Sequence, residues 1–88
     1  MGKKTHIKRR VQNYVGRIII AYFDCNNADE RRAYMQQCYE QPDFDSEAIL
    51  AELKGKVDIA RADWSKRLMK DAVDDLQECI ENRGENAI

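Results

Sequence analysis

The chain has 88 residues, 43% of them hydrophobic and 35% charged, with one proline and a formal net charge of −1. That length allows one domain with a modest core, and the composition is too apolar for a disordered tail. The near-neutral total hides a polarised molecule: residues 1–23 hold six basic and no acidic side chains, residues 24–88 nine basic and sixteen acidic ones, a pattern that bears on association rather than fold.

The first segment, KKTHIKRRVQNYVGRIIIAYFD, couples positive charge to an apolar run. A secretory signal needs an apolar core of roughly 7–15 residues and a small-residue cleavage site. Here Arg17 interrupts the run, and IIIAYF is followed by DCNN. A membrane span needs about 20 apolar residues, and none is present, so a soluble cytoplasmic protein is expected. At about 100° per residue, Ile7, Val11, Tyr14, Val15, Ile18 and Tyr22 share one face, with Arg9, Arg10 and Arg17 mostly opposite. This predicts an amphipathic helix over 5–23, preceded by a short basic arm (1–6). Ile20 points outward among the arginines and Phe23 sits at the border. The rival reading of RIIIAYF is a buried strand, for which only KVDIA (56–60) offers a partner.

Asn27 reads as an N-cap, with Glu30 at the capping-box position. Tyr34, Met35, Cys38 and Tyr39 then form the apolar side of a helix over 28–40, which Pro42 ends. Asp45 is the next cap, and Phe44 with Ile49 has the spacing of a hydrophobic staple. From there Leu50, Leu53, Val57, Ala60, Trp64, Leu68, Ala72, Leu76 and Cys79 recur every three or four residues, widened by Met69, Val73 and Ile80. Arg83-Gly84 closes the run. A single helix over 46–82 would span about 55 Å. Gly55 is its weak point, costing about 1 kcal/mol relative to alanine. A bend there gives four elements running up-down-up-down, with the acidic last helix antiparallel to the basic first one. A straight helix leaves an apolar stripe that calls for a second protomer or another protein. The fold expected for residues 1–88 is therefore all-α, a small antiparallel bundle of three or four helices in one domain.

The acidic end holds the most distinctive pattern. Asp71, Asp74, Asp75, Glu78 and Glu81 fall at i, i+3, i+4, i+7 and i+10, on the helical side opposite Val73, Leu76 and Ile80. Acids near a helix C-terminus oppose the macrodipole, and a carboxylate ridge suits a basic groove such as one that holds a nucleic-acid backbone. Ile20 and Phe23 supply apolar anchors of the kind interfaces use. The alternative site is the basic start, Lys3, Lys4, Lys8, Arg9 and Arg10, which would contact phosphates.

Catalytic signals are missing. His6 is the lone histidine, there is no nucleophile elbow and no glycine-rich phosphate loop, and the spacing of Cys25, Cys38 and Cys79 matches neither a zinc nor a redox pattern. Their odd number suits a reducing compartment. Cys38 and Cys79 read as small core residues and Cys25 as an exposed free thiol. Asp43 and Asp45 read as helix-start residues, and Trp64 and the tyrosines as core. No enzyme, metal or cofactor is expected, and no motif of a known family stands out. A short, helical, charge-polarised chain suits a small regulator or inhibitor that docks on a protein, as phage and mobile-element proteins do against host nucleases or CRISPR complexes. A homodimer and a nucleic-acid module are the competing expectations.

Overall fold

The computed structural model describes the backbone of residues 2–86 and the side chains of residues 9–82. Four helices follow one another: α1 (Gly2–Asp24), α2 (Ala28–Tyr39), α3 (Ser46–Ile59) and α4 (Asp63–Asn86). The all-α bundle is thus the observed fold. The contested segment 16–23 is helix, and α1 starts at Gly2, so its helical backbone takes in the stretch expected to be an arm.

Local chemistry sets two of the helix starts. The Asn27 side chain accepts from the backbone N–H groups of Asp29 and Glu30, at 2.8 and 3.3 Å, satisfying donors that a first turn leaves open. The reciprocal half of a capping box does not form, because the Glu30 carboxylate instead accepts from Cys25 Sγ at 3.1 Å. Asp45 caps α3 by accepting from the Ala48 N–H at 3.2 Å.

The chain turns at residues 60–62, so neither the continuous helix over 46–82 nor its alternative, a bend at Gly55, is what forms. Gly55 lies within α3, and a Cβ added there would meet nothing within 4 Å. Ala60 is extended (φ −67°, ψ 133°) while its N–H still bonds to the Lys56 carbonyl. The next helix opens with the Lys66 N–H on the Ala62 carbonyl, at 2.9 Å. Folding back is what covers the apolar stripe. Ile49 and Leu53 of α3 share one core with Ala72, Val73 and Leu76 of α4, each large side chain gaining about 1.5–3 kcal/mol on burial. That outweighs the few helical hydrogen bonds lost at the break, worth about 1 kcal/mol each.

Val11, Tyr14, Val15, Ile18 and Tyr22 from α1 and Met35 and Cys38 from α2 complete this core. Arg32 and Gln36 of α2 meet Asp75 and Cys79 of α4 in the same order, so α2 and α4 run parallel. The short 25–27 turn makes α1 antiparallel to both. Helices α2 and α3 each pack on α1 and α4 but hardly on each other, in a body of 36 × 35 × 20 Å.

Candidate functional site

The outward side of α4 carries a single row. Trp64, Arg67, Asp71, Asp74, Glu78 and Glu81 are all exposed and succeed one another by three or four residues, the spacing that keeps side chains in line on a helix. No hydrogen bond or ion pair joins the four carboxylates of this row to another described side chain. From Asp71 to Glu81 they cover about 15 Å, with Trp64 about 10 Å before the first.

Asp75, grouped with these acids on spacing alone, is turned inward. Its side chain is 15% exposed and lies 3.6 Å from the Arg32 guanidinium, and its Oδ2 accepts from Tyr22 Oη at 2.7 Å. One residue on from Asp74 is a rotation of about 100°, enough to move the carboxylate from the open row to the α1–α2 side. Burial, then this hydrogen bond, pushes the Tyr22 phenol well above its ordinary range. Arg31 lies over the same ring, 5.7 Å from its centroid.

Among the described residues four large apolar side chains are exposed: Ile20 (62%), Phe23 (38%), Ile59 (74%) and Trp64 (64%). All belong to one end of the bundle, where α1 and α3 finish and α4 begins. Phe23 and Trp64 touch edge to face, with ring centroids 5.2 Å apart and planes at 73°. Ile20 stands one turn before Phe23 on the same side of α1. Ile20 points outward and Phe23 sits at the border of the exposed side, as their helical angles require. Trp64 is not in the core where the periodicity put it, because the break at 60–62 ends the stripe that ran through Ala60. Asp63, an acid in a first turn, was the sequence signal for a new start there, and Trp64 is the site residue that sequence reasoning missed.

The basic start is divided. Arg9 and Arg10 are exposed on α1, whereas the side chains of Lys3, Lys4 and Lys8 lie outside the described residues. Arg17 is occupied by packing over the Tyr14 ring, at 5.7 Å.

The remaining concavities offer little chemistry. An open hollow of ≈ 600 Å³ lies between the end of α2, the following loop and α4, lined by Gln36, Tyr39, Glu40, Phe44, Cys79 and Asn82 among others. Its thiol is held, since Cys79 Sγ donates to Gln36 Oε1 at 3.3 Å. Burial, with Asp75 and Glu78 nearby, raises the Cys79 thiol, and burial raises that of Cys38, so both stay protonated and weakly nucleophilic at neutral pH. Asp43 is not a free helix-start acid, as it accepts the hydroxyl of Tyr14. Among the described residues no group of three His, Cys, Asp or Glu side chains is placed to hold a metal ion, and no helix is long and apolar enough to cross a membrane. Comparison of the chain with protein-family models, curated proteins and solved structures gives no match in any of the three.

Proposed function

We propose that the chain is a small non-enzymatic regulator or inhibitor that docks on a partner protein through the outward side of α4. The observation that carries this reading is the row Asp71, Asp74, Glu78 and Glu81, exposed and unpaired on a helix that the core holds rigidly. Carboxylates kept for stability alone would gain from cations one turn away; Arg67 and Lys70 stand one turn before Asp71 and Asp74, but Glu78 and Glu81 have no lysine or arginine within one turn among the described residues. A basic surface on the partner supplies the complement, steering encounter and fixing orientation. Four charges over about 15 Å give roughly two-thirds of the linear charge density of one strand of B-DNA. A groove built for a nucleic-acid backbone is therefore a suitable target, and occupying it would inhibit its owner.

Exposed Arg9 and Arg10 support one other reading, a nucleic-acid module. A tagged pull-down with and without nuclease separates the two. The docking reading expects a stoichiometric protein that survives nuclease and is lost on reversing Asp71, Asp74 and Glu78 to lysine. Capture that vanishes with nuclease, and with removal of residues 1–10, overturns it in favour of the basic start.

A further inference from the structure

We infer that the apolar end of the bundle, centred on the Phe23–Trp64 pair with Ile20 and Ile59, is the anchor of that docking surface, and that the partner offers an apolar pocket about 10 Å from the start of a basic strip. The inference rests on the docking reading and adds the energetic centre that the charged row lacks. Solvent-exposed ion pairs are worth little, with a median of about 0–1 kcal/mol, so four carboxylates supply orientation and on-rate more than affinity. Binding energy concentrates in buried aromatic groups, Trp and Tyr above all.

Three observations join the anchor to the row. Trp64 is itself the first member of the outward row of α4 and is 64% exposed. Phe23 braces it edge to face at 5.2 Å, so the indole is pre-set by a neighbour on another helix, which lowers the ordering cost of binding. The other two exposed apolar side chains belong to the same end, whereas isolated exposed residues would be scattered.

Charge selects the occupant. A second copy laid parallel along α4 would set the carboxylates of the two rows against each other, which is repulsive, and one meeting end to end through Trp64 would leave both carboxylate rows uncovered. A protein whose pocket is followed, beyond the gap that Arg67 occupies, by lysines and arginines meets the four carboxylates at once. The matching occupant is an amphipathic cationic protein surface, and bare nucleic acid is repelled by the row.

Two synthetic helical peptides of equal length and positive charge test this. One carries a leucine face opposite its lysines, and the other has glutamine in place of each leucine. Binding is read from the anisotropy of a dye on the peptide and from the emission of Trp64, the one tryptophan in the chain. The leucine-bearing peptide is expected to bind about tenfold more tightly, which is about 1.4 kcal/mol, and to move Trp64 emission to shorter wavelength. Phe23→Ser and Trp64→Ser should each erase that preference while leaving binding of the glutamine peptide and the helical circular dichroism unchanged. Equal affinity for both peptides with Trp64 emission unmoved overturns the anchor and leaves the charged-row reading standing. Affinities unaffected by D71K/D74K/E78K overturn the row itself. Binding of neither peptide overturns both.

Discussion

Tyr22 of α1 donates its hydroxyl to Asp75 of α4 across 2.7 Å, with the tyrosine fully buried and the carboxylate 15% exposed. Arg32 of α2 reaches the other carboxylate oxygen at 3.6 Å, so three helices meet at one side chain. The arginine is 61% exposed, and the ion pair contributes little beside the hydrogen bond.

Removing one partner of this bond should cost more than removing both. Asp75→Ala strands a buried hydroxyl and is expected to destabilise the fold by about 1–3 kcal/mol. Tyr22→Phe should cost less, because Asp75 keeps Arg32 and an edge to solvent. A double-mutant cycle by urea denaturation should give a coupling of about 1 kcal/mol or more. Additive effects would place Asp75 back on the outward row.

Alkaline pH should weaken the fold through its tyrosines. The hydrogen bond to Asp43, then burial, raises the Tyr14 phenol from 10.0 to about 12, and burial is the largest cause of the raised Tyr22 and Tyr34 phenols. The folded chain then holds these protons more tightly than the unfolded chain does. Each contribution is complete below about pH 10, and that of Tyr14 is lost as pH rises through about 12. Tyr14→Phe should flatten part of that decline. A decline of the same steepness in the variant would contradict the assignment.

Gly55→Ala distinguishes a helix interior from a hinge. An added Cβ meets nothing within 4 Å and the position lies inside α3, so the variant should gain about 1 kcal/mol. Thermal unfolding reads the gain, and a loss of stability would mean that the chain needs the glycine to bend.

Helix identity was legible wherever local chemistry decides. Asn27 and Asp45 have the side chains that cap a first turn, and the 3.6-residue spacing of α1 matches the residues that are buried. The turn at 60–62 was only weakly marked, because neither glycine nor proline stands there and alanine is a poor N-cap, which left Asp63 in the next first turn as its one local signal. Its cause is tertiary: residues 46–82 bury their stripe only by folding on themselves. The two errors about the docking surface follow from that turn and from one residue of rotation. Trp64 was placed in the core by continuing the stripe through Ala60, and Asp75 was placed outward by treating five acids as one side of a helix. Ile20 and Phe23 needed only the phase of α1, and they lie where that phase puts them.

Trp64 offers a direct check on that turn. As the one tryptophan and 64% exposed, it should show the red emission of a hydrated indole and strong quenching by acrylamide in the folded protein. Blue emission protected from acrylamide, in a chain that is monomeric by light scattering, would return it to the core and restore the continuous helix.

The most direct test of the docking claim is partner capture by two chains that differ only in the row. Reversing Asp71, Asp74 and Glu78 to lysine changes exposed side chains and should leave stability within about 0.5 kcal/mol, so circular dichroism and thermal unfolding should match the parent. The parent should retain a stoichiometric protein partner after nuclease treatment, and the reversed chain should lose it. Equal retention by both chains would contradict the claim and leave the row as a solvated surface.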